Sequence, residues 1–150
     1  MLFFFVDDNV QELTLFGAIL ARLDIPVQYT AIQGSDELLD KLTSAPALPN
    51  IIFLDYSMSP KNGLDCLIAI RSDKRFLHIP VIMYANSAPA ERVHQAYING
   101  ADYYIQKPLH IEEVKIMLTW LIDNIGDCHS TPLFEDFIIS PAKLPQKKAV

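Results

Sequence analysis

The feature that most constrains this chain is an alternation. Five short apolar runs, at residues 2–6, 27–31, 51–54, 81–85 and 103–105, take turns with longer segments whose apolar residues recur at helical spacing. Four of these runs are continuous and have no polar face to offer water, as in strands covered on both sides. The run at 27–31 differs, because Val27, Tyr29 and Ala31 alternate with Gln28 and Thr30, which suits a strand near an edge. Between the runs, one-sided spacing marks helices: Leu13, Phe16, Leu20 and Leu23 early on, then Leu64, Leu67, Ile68 and Ile70. The last helix presents Ile111, Val114, Leu118, Leu121 and Ile125 inward. Strands and helices alternating over about 125 residues imply right-handed crossovers and a doubly wound α/β fold, a five-stranded parallel sheet with helices on both faces.

Local chemistry sets the boundaries. Asp8 or Asn9 caps the first helix and Ile25-Pro26 ends it; Ser35 or Asp36 caps the second after Gly34. Residues 44–50 form a proline-broken loop, Pro89 opens a helix in its first turn, and Asn99-Gly100 closes it. Gly126 marks the end of the compact unit, so residues 1–125 read as one domain and 126–150 as a C-terminal tail without a separate output domain. Phe134, Phe137, Ile138 and Ile139 make that tail too apolar to float freely.

Composition excludes several classes. With 51% hydrophobic and 20% charged residues the chain is not disordered. A net charge of −6, with no basic cluster beyond Lys147-Lys148, argues against nucleic acid as a partner. Two cysteines, Cys66 and Cys128, are too few for a disulfide scaffold and fit a reducing cytoplasm. The opening apolar stretch meets Asp7-Asp8 after six residues, too short for a membrane span or signal peptide. His78, His94, His110 and His129 show no ligand spacing.

In a parallel sheet all strand C-termini share one edge, where open α/β sheets bind ligands. Here that edge receives Asp7-Asp8 from the first run, Asp55 from the third and Lys107 from the fifth. Clustered carboxylates repel one another, and a hard divalent cation such as Mg²⁺ is the partner that would reward them. Lys107 brings a point charge suited to a phosphoryl oxygen. Pro108 restricts the lysine's backbone, and a cis bond there is one way to aim it inward.

The acidic pair Asp7-Asp8, the strand-end Asp55, Gly63 eight residues on, Gly100-Ala101 and Lys107-Pro108 occur in an order and spacing that resemble the receiver domains of two-component response regulators. The resemblance implies a flavodoxin-like sheet of order 2-1-3-4-5. It further implies that Asp55 is a phosphoacceptor taking a phosphoryl group from a sensor histidine kinase or histidine phosphotransfer protein. Asp7, Asp8, Asp55 and the backbone carbonyl of Ser57 would hold Mg²⁺, Lys107 would pair with the phosphoryl group, and Tyr104 would be the aromatic switch residue. It implies a signalling protein of the cytoplasm rather than an enzyme. Its output would be a protein contact through the face of the fourth helix, fifth strand and fifth helix, and that face also suits a homodimer. Off the inward stripe of the last helix, Ile116, Met117 and Trp120 offer an apolar patch for a partner or for the chain's own tail.

Two departures stand out. Where receivers carry Thr or Ser at the end of the fourth strand, this chain has Ala85, with Asn86 and Ser87 following as candidate substitutes. The proline that usually stands four residues after the acceptor is replaced by Ser59, with Pro60 one later. The alternative reading is a pseudo-receiver that keeps the fold as an interaction module without switching. A haloacid dehalogenase-type phosphatase also uses a strand-end Asp but wants a second one where Ser57 stands.

Overall fold

The computed structural model describes residues 1–23, 26–125 and 131–144. Ile25, Gly126, Cys128, His129, Pro145 and the Lys147-Lys148 pair lie outside the described residues. The elements run β1 (Leu2–Asp7), α1 (Val10–Leu20), β2 (Gln28–Gln33), α2 (Ser35–Ser44), β3 (Ile51–Leu54), α3 (Gly63–Arg71), β4 (Val81–Ala85), α4 (Ala90–Ile98), β5 (Tyr103–Gln106), α5 (Ile111–Asn124), α6 (Phe134–Phe137) and β6 (Ile138–Ile139). The sheet order is β2-β1-β3-β4-β5-β6, every pair parallel. The strand order 2-1-3-4-5 anticipated from the sequence is therefore present, and a sixth strand from beyond residue 125 extends it along β5. No described helix is long and apolar enough to cross a membrane.

The buried strands divide their side chains between two apolar layers. Phe3, Phe5, Phe53 and Tyr84 face α1 and α5, with Phe5 stacked on Phe16 at 3.9 Å between ring centroids. Phe4, Val6, Ile52, Leu54 and Met83 face α2, α3 and α4. This is why those runs are apolar at every position: neither face meets water. Strand β2 lies at the sheet edge and is less fully covered than the others, as expected, but the anticipated alternation fails: Tyr29 and Thr30 are both half-buried, Ala31 is exposed, and the fully buried residue is Ile32.

Capping follows the sequence in part. Asn9 caps α1 by accepting from the Gln11 amide at 2.9 Å. Neither Ser35 nor Asp36 caps α2; Gly34 occupies that position at φ 92°, and buried Ser35 accepts from the Lys61 amide through Oγ. In α5 the inward stripe is Val114, Met117, Leu118 and Leu121, a continuous i, i+3, i+4, i+7 set. Met117 is thus buried (1% exposed), while Ile111, in the first turn beside the exposed Leu109, stays 37% exposed. Trp120 packs edge-on against Tyr103 at 5.6 Å, leaving Ile116 as the exposed member of the anticipated patch.

At the opposite end of the sheet from the strand C-termini, Arg71 ties the last turns together. Its guanidinium donates to the carbonyls of Gly100 (2.8 Å), Phe76 (3.3 Å) and Ile79 (3.0 Å), and pairs with Asp102 at 3.0 Å. The same Asp102 oxygen accepts from the Val81 amide at 2.8 Å.

Candidate functional site

Hydrogen bonding of the parallel ladder carries three strand ends to one edge. Asp7 closes β1, and Asp55 follows β3 with its amide donating to Val6 O at 2.9 Å. Lys107 follows β5, its amide donating to Ala85 O at 2.7 Å. That bond continues the β4–β5 ladder one residue further and aims the lysine inward. The Lys107–Pro108 bond is trans; among the described residues the cis bond is Ser59–Pro60.

Asp7, Asp8 and Asp55 each offer a carboxylate oxygen within 4.8 Å of the others, Asp7 and Asp55 buried and Asp8 exposed. One Asp7 oxygen accepts from the Asn9 amide at 2.9 Å and the other from Lys107 Nζ at 3.1 Å. Lys107 Nζ lies 3.6 Å from Asp55 Oδ1 and 3.6 Å from Glu12 Oε2, over the Tyr84 ring at 5.5 Å from its centroid. Burial, then the negative charge of Asp7, push the Asp55 carboxyl up from 3.8 to about 6, against the opposing pull of Lys107. For Lys107 burial acts downward, but Asp55, Asp7 and Glu12 outweigh it and hold the ammonium above its ordinary value.

The donor set suits a hard divalent cation. All three side-chain donors are oxygens, and Mg²⁺ at about 2.0–2.1 Å from each ligand spans opposite ligands at about twice that distance. The three carboxylate oxygens, all within 4.8 Å of one another, are near enough to be drawn onto one such ion. Asp8, facing solvent, leaves an entry path.

The loop after Asp55 depends on an absent atom. Gly63 donates its amide to Tyr56 O at 2.8 Å, and a Cβ built there would meet Asp55 O at 2.2 Å. Asn62 and Asp65 form a reciprocal capping box that starts α3 at this contact. Arg92 lies over the Tyr56 ring at 4.7 Å. Ser57 is exposed in the same turn, two residues after Asp55.

On the other side, Ala85 is buried at the end of β4 and brings no hydroxyl. Asn86 and Ser87 are exposed beyond the strand. Ser87 instead offers its backbone carbonyl, which accepts from the hydroxyl of fully buried Tyr104 at 2.7 Å. Burial pushes that phenol up to about 12, partly countered by Arg92. The sequence reading missed Glu12. Its signal was present, since a carboxylate in the first turn of α1 lies one turn from Asp8 on the same edge.

Comparison with known proteins agrees with the fold. The family model for the response regulator receiver domain matches residues 3–119. The two-component response regulator ORR13 of Oryza sativa subsp. japonica is 30% identical over 116 residues, covering 77% of this chain and 93% of that protein. The chemotaxis protein CheY1 of Helicobacter pylori is 33% identical over 110 residues, covering 73% and 87%. Among solved structures, the phosphorylated cyanobacterial phytochrome response regulator RcpA superposes with a TM-score of 0.75 at 21% identity, covering 88% of this chain and 98% of that one. The Mn²⁺-bound form of response regulator Rcp1 gives 0.72 at 18%, covering 88% and 99%. These two establish likeness of fold. With a family match across more than three-quarters of its length, the chain belongs to the response regulator receiver domains of two-component signalling.

Proposed function

We propose that this chain is a Mg²⁺-dependent phosphoacceptor of the cytoplasm, phosphorylated on Asp55 by a histidine kinase or histidine phosphotransfer protein and signalling through protein contact. The observation that carries the reading is the convergence of Asp7, Asp8, Asp55 and Lys107 on one edge, the first and last separated by 100 residues of chain. In the reaction a carboxylate oxygen of Asp55 bonds to phosphorus as the phosphorus–nitrogen bond of the donor phosphohistidine breaks, its imidazole nitrogen leaving with the electron pair. Asp7, Asp8, Asp55 and the Ser57 carbonyl would hold Mg²⁺, which when bound offsets charge on the transferring oxygens. Lys107 neutralises a phosphoryl oxygen and is already held at the acceptor by Asp7 and Glu12. Asp55 acts as an acceptor in one transfer rather than as a turnover catalyst.

The test is intact mass after incubation with Mg²⁺ and acetyl phosphate. One phosphoryl mass should appear, and it should vanish in Asp55→Asn or on chelation. A protein that stays unmodified while fully folded supports the second reading, an interaction module that does not switch. The observation favouring that reading is buried Ala85, which gives the phosphoryl group no hydroxyl to pull on.

A further inference from the structure

The segment 131–144 holds the α4–β5 edge in a way that differs from the rest of the sheet. Phe137 is fully buried, edge-on to Tyr97 at 5.1 Å and to Tyr104 at 6.4 Å, and Ile139 enters the opposite apolar layer. Tyr97 donates its hydroxyl to Pro132 O at 2.9 Å, and Phe134 packs on the same ring at 5.1 Å. The edge therefore offers defined features: a strand to pair with, two tyrosine rings and a phenol donor. What fills it is lightly fastened. β6 pairs through two residues, α6 is a single turn with no side-chain cap, and Leu133 and Phe134 remain 60% and 50% exposed. Single turns and two-residue strands are the elements that open first.

We propose that the α4–β5 edge is a peptide-binding site and that residues 131–144 are its internal ligand. A partner using this edge presents a short extended apolar segment with an aromatic anchor just ahead of the pairing residues, and it binds by displacing the tail. Strand addition supplies the main-chain hydrogen bonds, and the Tyr97–Tyr104 pocket supplies selectivity for the aromatic ring. The proposal stands apart from the phosphoacceptor reading, since it needs no phosphoryl group.

The probe is a labelled synthetic peptide with the sequence of residues 131–144, titrated against the full chain and its Phe137→Ala and Phe134→Ser variants by fluorescence anisotropy. Hydrogen exchange of the tail is followed in parallel by mass spectrometry. Phe137→Ala should speed exchange of the tail at least tenfold and bind the peptide at least tenfold more tightly than wild type. Phe134→Ser, whose ring is half exposed, should give a smaller change of the same sign and decides the matter if Phe137→Ala does not fold. Equal peptide affinity for all three proteins overturns the proposal. So does unchanged tail protection, or absence of peptide binding to a folded variant whose tail exchanges freely.

Discussion

Lys107 Nζ lies 3.1 Å from Asp7 Oδ2 and 3.6 Å from Asp55 Oδ1, so the ammonium is bound more closely to Asp7 than to the proposed acceptor. It therefore competes with any cation at Asp7 while preparing charge at Asp55. In Lys107→Met, which removes the charge and keeps most of the unbranched apolar stem, Mg²⁺ should bind about three- to tenfold more tightly by calorimetry. Phosphorylation by acetyl phosphate should slow by about 10²-fold, the cost typical of removing one preorganised charge. Weaker Mg²⁺ binding in the variant would contradict this picture of the lysine.

Asp55 gives a pH signature in protein free of divalent ions. Burial and Asp7 raise its carboxyl from 3.8 to about 6 in the folded chain. The folded state then binds more protons than the unfolded one across that interval, so stability falls as pH rises through about 6. Asp55→Asn removes the penalty. Its thermal midpoint should exceed that of wild type at pH 7.5, and the difference should fade toward pH 4. Added Mg²⁺ should raise the wild-type midpoint and leave the variant nearly unmoved.

Gly63→Ala tests the close approach behind Asp55. A methyl group 2.2 Å from Asp55 O is relieved only by moving backbone. Denaturant unfolding should show a loss of about 2–3 kcal/mol, in the range for overpacking a tight site. Mg²⁺ affinity should fall as Asp55 shifts. Unchanged affinity would mean that the loop yields without disturbing the carboxylate.

Ala85→Thr supplies the hydroxyl that β4 lacks. A hydrogen bond to a charged group contributes about 1.5–3 kcal/mol, and crowding at this buried position takes back part of it. The net expectation is about tenfold tighter binding of beryllofluoride with Mg²⁺, read by calorimetry, with unchanged Mg²⁺ affinity alone.

The sheet was legible because a strand covered on both faces leaves no room for polar residues, and residues 51–54 and 81–85 obey that rule throughout. The acidic cluster was legible for a related reason: a carboxylate ending such a strand has one edge to go to. Met117 was misplaced because one helix turn admits two neighbouring stripes, and the neighbouring sheet decides between them. Ser35 escaped because its hydroxyl meets the Lys61 amide, 26 residues away, rather than its own helix. Strand β6 was hidden because two isoleucines after a phenylalanine carry no period, and their pairing is fixed by Tyr104 and Ile105 far upstream. Tail binding could be anticipated from its apolarity, whereas its seat could not.

Arg71 gives the molecule a mechanical polarity. One side chain stitches the carbonyls of Gly100, Phe76 and Ile79 to Asp102, and through it to the start of β4. Strands β4 and β5 are thus clamped at their amino ends like two blades of a fan at its rivet. Small displacements at the far ends, beside Asp55 and Tyr104, can then rotate loops about a fixed base without loosening the sheet.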